Sequence, residues 1–132
     1  MRQRGEFAQV DFRAGREMLD RIRQCISLRE NLMIETTLAS ANWARHIPDW
    51  QELGYRVVLY YLRLSDADTA VRRVASRVAA GGHDIPEPVI RRRFARSLRN
   101  LDAVYKATVD QWYVFDSFED EPPKLAETWS RS

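Results

Sequence analysis

Apolar positions along this chain switch between two spacings. From Phe12 to Glu30 they recur every three or four residues, with Leu19, Ile22 and Ile26 on one stripe, which predicts an amphipathic helix. The run Leu32-Met33-Ile34 follows and stops at Glu35-Thr36-Thr37, as in a strand buried on both faces. Ser40 can cap a helix from about Ala41 to Leu53, which Pro48 is expected to split and Gly54 to end. Tyr55 to Leu64, with Val57-Val58-Leu59-Tyr60-Tyr61-Leu62, is β-branched and aromatic and predicts a second strand with apolar residues on both faces.

Ser65 is the expected N-cap of a third helix, which buries Val71, Val74 and Val78 and ends at Gly81-Gly82. Pro86 suits the first turn of a fourth helix reaching Thr108, with Ile90, Phe94, Leu98, Leu101 and Tyr105 facing inward. A last strand covers Trp112 to Phe115 and ends at Asp116-Ser117. Beyond Pro122-Pro123 a short terminal helix is expected. Strands separated by helices predict an α/β fold with a parallel sheet covered on both sides.

The 132 residues suffice for one domain, and 45% hydrophobic with 30% charged residues is an ordinary globular balance. No linker or repeat divides the chain, so residues 1–132 read as a single domain. The net charge of +2 demands no nucleic acid. Cys25 has no partner for an internal disulfide and reads as a buried hydrophobe. No apolar run has the length of a membrane span, and Met1 to Glu6 lacks a signal peptide's apolar core. The expectation is a cytoplasmic protein without a membrane partner.

Of the 21 basic residues, only Lys106 and Lys124 are lysine. Arginine grips phosphates with two donors at once, although a GC-rich genome produces the same bias. Eight arginines, at 72, 73, 77, 91, 92, 93, 96 and 99, face only Asp84 and Glu87, a local charge of +6. A helix–Gly-Gly–helix unit so charged resembles a lid over a nucleoside triphosphate. A solvated charged face is the plainer reading, particularly for Arg96 and Arg99. Aromatic residues are not interleaved with the arginines, which argues against a nucleic-acid platform. Ligands of parallel sheets bind beyond the carboxyl ends of the strands, where Glu35-Thr36-Thr37 and Asp116-Ser117 lie. These groups can contact a substrate or only organise the following turn. His83, beside two glycines, suits a loop hydrogen bond better than a phosphate. His46 reads as a surface helix residue. Neither a zinc spacing nor a Ser/His/Asp arrangement is present.

Several blocks together resemble the zeta toxin family of P-loop kinases. They are Ala14-Gly15-Arg16, Ile34-Glu35-Thr36-Thr37-Leu38, Gly54-Tyr55-Arg56-Val57, Arg73-Val74-Ala75-Ser76-Arg77-Val78, Gly81-Gly82-His83-Asp84-Ile85-Pro86, Ile90-Arg91-Arg92-Arg93-Phe94, Asp110-Gln111-Trp112 and Asp116-Ser117. Their order and spacing agree across nearly the whole chain. The resemblance implies a P-loop-kinase-like parallel sheet flanked by helices, with an arginine-rich lid at about 66–108. It implies phosphoryl transfer from ATP, with Mg2+, to UDP-N-acetylglucosamine or a similar small molecule, and an antitoxin protein as a possible partner. Carried over by motif, Glu35 and Thr37 contact the sugar nucleotide. Arg73, Arg77 and Arg92, the last taken from the Arg91–Arg93 triplet, hold ATP phosphates.

The chain departs from that pattern at one decisive place. Its glycines are at 5, 15, 54, 81 and 82, neither lysine follows one of them, and no Gly-x-x-x-x-Gly-Lys-Ser/Thr loop exists to cradle phosphates. The family's following strand, whose aspartate serves as catalytic base, is also unmatched, because Asp11 lacks its context. No catalytic or metal-binding residue is therefore assigned. The implied fold is incomplete: its first strands and P-loop are missing, and the P-loop strand belongs between the Leu32–Glu35 and Tyr55–Leu62 strands. Those two strands would close up, accept another chain, or leave the protein marginally stable. The expectation is a truncated or mis-started reading of a longer kinase gene, inactive as this isolated chain. The alternative is a non-catalytic protein that binds a nucleotide, a sugar nucleotide or a partner through the arginine face.

Overall fold

A computed structural model describes residues 8–10, 15–36 and 38–132. It divides into two compact units, 1–36 and 37–132, each of which is taken by itself. In the first unit, β1 (Ala8–Val10) and β2 (Leu32–Ile34) pair in parallel, with Ala8 opposite Leu32 and Val10 opposite Ile34. Helix α1 (Gly15–Ser27) is the crossover that a parallel pair requires. Its buried stripe is Met18, Ile22 and Cys25, one position off the expected Leu19 and Ile26. Met33 is 50% exposed, so β2 is not buried on both faces as the apolar run suggested.

In the second unit, α2 (Asn42–Glu52) precedes β3 (Val58–Arg63), α3 (Ala67–Ala79) and α4 (Glu87–Asn100). A π-helical turn, Leu101–Tyr105, and a short α5 (Lys106–Thr108) continue α4 to the predicted end at Thr108. Then come β4 (Gln111–Asp116) and β5 (Lys124–Ser130). Pro48 lies inside α2 without splitting it. Ala41 occupies the N-cap position, but the Ser40 hydroxyl still accepts from the Asn42 amide at 3.1 Å. The N-cap of α3 is Asp66, not Ser65, because its carboxylate reaches the Thr69 amide at 2.8 Å. Hydrogen bonding to that amide, and to the Thr69 hydroxyl, holds the Asp66 carboxyl below its ordinary pKa.

The expected terminal helix is a strand. Thr128 and Trp129 are strand formers, and β5 folds back antiparallel along the free edge of β4, with Trp112 opposite Trp129. The sheet is therefore mixed, in the order β3-β4-β5, and only its β3–β4 pair is parallel. Leu38, Ile47, Leu101, Tyr105, Val109 and Val114 form its core cluster, with Leu59, Tyr61 and Trp112 packed against it. These residues draw α2 and the α4–π–α5 helix onto one sheet face. On the other face, Val58 is 37%, Tyr60 67%, Leu62 46% and Leu125 53% exposed, and Tyr60 stacks on Tyr113 at 5.0 Å between centroids. The expectation that the Tyr55–Leu64 strand is covered on both sides does not hold, because the helices of this unit gather on a single face.

Asp110 pins the start of the parallel pair. Its carboxylate accepts from the Val57 amide at 2.8 Å and from Gln51 Nε2 at 3.1 Å, while its own amide donates to the Val57 carbonyl at 2.9 Å. Burial alone would push this carboxyl up. The Val57 and Gln51 hydrogen bonds, with Arg131 and Arg56, outweigh it and hold the carboxyl below its ordinary value. A depressed carboxylate adds stability that is present above its unfolded pKa and is lost as pH falls through the lower folded value. Asp110→Ala strands the half-buried Val57 amide and is expected to cost about 1–2 kcal/mol in urea denaturation. In Asp110→Asn, stability should fall less between neutral and acid pH than in the parent chain.

Candidate functional site

Within the second unit, the carboxyl end of the sheet gathers the polar groups. Arg63 is the last residue of β3 and Asp116 the last of β4, and in-register pairing sets them side by side. Arg63 Nε donates to Asp116 at 2.7 Å, and Arg63 Nη1 lies 3.4 Å from Glu127 of β5. The Arg63 hydrogen bond holds the Asp116 carboxyl below its ordinary pKa. One residue further, the Ser117 amide donates to the Arg63 carbonyl at 2.9 Å, which extends the ladder past the strand. The buried Ser117 hydroxyl then accepts from Arg73 Nη2 at 2.6 Å. This bond ties α3 to the strand end and aims a guanidinium there.

The eight arginines of α3 and α4 fall into two groups. Arg72 bonds Glu119 at 2.9 Å, Arg73 bonds Ser117, and Arg91 reaches both Asp68 at 2.6 Å and Glu87 at 2.9 Å. The Arg91 pairs bridge the N-terminal turns of α3 and α4, and the two carboxylates raise the Arg91 pKa above its ordinary value. Arg77, Arg92, Arg93, Arg96 and Arg99 are exposed and, among the described residues, have no acidic partner. Between the helices the Gly82 amide donates to the Arg77 carbonyl at 2.7 Å. A Cβ at Gly82 would stand 2.8 Å from that oxygen, so only glycine fits this close approach. His83 is exposed, and His46 is half-buried and stacks on Trp50 at 6.0 Å.

Of the residues singled out from the sequence, Arg73 stands at the strand end and Arg77 one turn further along α3. Arg92 is exposed on α4, beside Arg91, whose donors already hold Asp68 and Glu87. Glu35 is exposed just past β2 in the first unit, and Thr37 lies outside the described residues. Immediately after that motif, the buried Leu38 has φ +56°, a left-handed conformation that a leucine rarely adopts. Asn100 Nδ2 donates to the Leu38 carbonyl at 2.7 Å, and the Tyr105 hydroxyl donates to the Ser40 carbonyl at 2.6 Å. Burial raises the Tyr105 pKa, keeping it a donor. Two bonds, from the end of α4 and from the π-helical turn, thus restrain the segment after the motif. π-turns of this kind often mark functional positions.

Sequence reasoning missed the Arg63–Asp116 pair, the Arg91 bridge and the Asn100 clamp. Only the first had a signal: Arg63 and Asp116 each end an apolar strand, so parallel register brings them together. Asn100→Ala removes the donor that fixes a strained residue. We expect a loss of about 1–3 kcal/mol in thermal or urea unfolding, with faster amide exchange at residues 38–40.

Guanidinium groups at a strand end suit the phosphates of a nucleotide. Among the described residues, no group of three or more His, Cys, Asp or Glu is arranged to hold a metal, and no helix is long and apolar enough to cross a membrane. Comparison with known proteins extends this picture. The family model described as Zeta toxin matches residues 5–120. An uncharacterized protein of Haemophilus influenzae is 26% identical over 85 residues, which is 64% of this chain and 61% of that protein. The chain thus matches less than two thirds of that relative's length. No solved structure matches the chain.

Proposed function

This chain belongs to the zeta toxin family, and from that premise we propose that it binds the phosphates of ATP as the lid of a small-molecule kinase. Arg73, Arg77 and Arg92 are the phosphate ligands in this reading, and Glu35 with Thr37 contacts a sugar-nucleotide substrate of the UDP-N-acetylglucosamine type. The observation that carries it is the Arg73 guanidinium, fixed by Ser117 at the carboxyl end of β4, where α/β sheets bind ligands.

ATP presents its terminal phosphates as oxyanions. A planar guanidinium accepts no proton from them and donates two parallel hydrogen bonds, so it neutralises charge and orients the transferring group. Magnesium, when ATP brings it, neutralises the phosphate oxygens further; no described residue of this chain is assigned to hold it. Exposed Glu35 offers an acceptor to a sugar hydroxyl. Phosphoryl transfer also needs a nest of amides and a lysine on the phosphates, and residues 1–132 contain no Gly-x-x-x-x-Gly-Lys-Ser/Thr segment. The proposal is therefore recognition of ATP without turnover by these 132 residues alone, in a cytoplasmic setting. An antitoxin protein would be its macromolecular partner.

A non-catalytic protein that binds a partner through the arginine-rich face is the second reading. It is favoured by the five exposed arginines, at 77, 92, 93, 96 and 99, that lack acidic partners among the described residues. Calorimetric titration with magnesium-ATP and with UDP-N-acetylglucosamine, followed by an assay for phosphorylated product, separates the two. The kinase-lid reading expects ATP binding that Arg73→Ala weakens about tenfold, and no product. Product formed by the chain alone would refute the account of the missing loop. Absence of ATP binding would leave the partner-binding reading.

A further inference from the structure

We propose that Ser117 is the positioning residue for Arg73: it presents the guanidinium to phosphate without itself being the charge that binds. This rests on the reading of Arg73 as a phosphate ligand and adds the device that makes that arginine effective. Ser117 is 7% exposed and held from two sides. Its amide is fixed by the Arg63 carbonyl at 2.9 Å, and its hydroxyl accepts from Arg73 Nη2 at 2.6 Å. The anchor is therefore part of the β3–β4 ladder, whereas the arginine is carried on a helix.

A free arginine side chain loses rotamer freedom when it is fixed on a ligand. Anchoring one guanidinium nitrogen in advance removes part of that loss. A guanidinium has five N–H donors, and one bond to Ser117 leaves the other donors for an oxyanion. A serine hydroxyl suits this task better than a carboxylate. It orients the guanidinium without neutralising it, so the positive charge stays available. The contrast lies in the same lid: Arg91 is bound by Asp68 and Glu87, and Arg72 by Glu119. Arg72 also meets the Thr69 hydroxyl at 3.1 Å, but among these three only Arg73 is held by a hydroxyl with no acid beside it.

The test is a double-mutant cycle read by magnesium-ATP affinity at low salt, on the 132-residue chain. The variants are Ser117→Ala, Ser117→Thr, Arg73→Ala and the double variant Ser117→Ala with Arg73→Ala. Thermal melts check that each remains folded. Ser117→Ala is expected to weaken ATP binding about fivefold to tenfold, and Ser117→Thr, which keeps the hydroxyl, to restore most of it. In the Arg73→Ala background the Ser117→Ala change should have no further effect, because its route of action is gone. An equal effect in both backgrounds would show that Ser117 acts on ATP or on the fold directly, and would overturn the inference. So would an unchanged affinity in Ser117→Ala while Arg73→Ala weakens binding, a result that leaves the phosphate role of Arg73 standing. If Arg73→Ala itself leaves ATP affinity unchanged, or if the parent chain does not bind ATP, the underlying reading fails and the inference falls with it.

Discussion

The parallel pairing of β3 with β4 is the constraint on which the second unit depends. Six residue pairs from Val58–Gln111 to Arg63–Asp116 fix the register. Side chains lock it at both ends: Asp110 holds Val57 where the strands start, and Arg63 meets Asp116 where they stop. Slipping β3 by one residue would send Leu59 and Tyr61 to the uncovered face and separate the terminal ion pair. The same register places Ser117 one step beyond the sheet, within reach of α3. Core packing and the polar strand end are thus two results of one alignment.

Much of this was legible in the sequence because local chemistry and tertiary structure agree. The apolar run forms β3, and Ile90, Leu101 and Tyr105 are buried as their periodicity predicts, while Pro86 stands at the N-cap of α4, just before the first turn. The misses share a cause. The stretch beyond Pro122-Pro123 reads as a short helix because its preference for a strand becomes decisive only with the β4 edge beside it. Pro48 does not break α2, whose residues Trp43, Ile47 and Trp50 belong to or pack against the core cluster. That packing outweighs the helix propensity of one proline. The exposed face of Val58, Tyr60 and Leu62 was invisible because an apolar strand says nothing about how many helices cover it.

The candidate site was legible in kind and not in detail. Arginine spacing pointed to α3 and α4 and the strand ends pointed to the sheet rim, but no spacing rule tells which arginines acids will occupy. That depends on Asp68, Glu87 and Glu119, carried on α3, on α4 and in the loop after β4. Arg91 comes from the same triplet as Arg92, yet the structure assigns them different work: Arg91 staples two helix starts and Arg92 faces solvent.

That division bears on how so basic a helix pair stays folded. Eight arginines within 28 positions repel one another, and repulsion between like charges in a helix pair lowers its stability. The cost is limited in two ways. Exposed guanidinium groups keep their hydration and are screened within about 8–10 Å at physiological salt. The Arg91 pairs remove charge where α3 and α4 begin, and the Arg72 pair removes it beside the loop after β4. Arg77, Arg92 and Arg93 then remain as charge that folding tolerates but does not use. A polyanion at these two helices would relieve this repulsion and gain charge-assisted hydrogen bonds in the same step. On the proposed reading, phosphate binding and the stability of the α3–α4 pair are therefore thermodynamically linked, each strengthening the other.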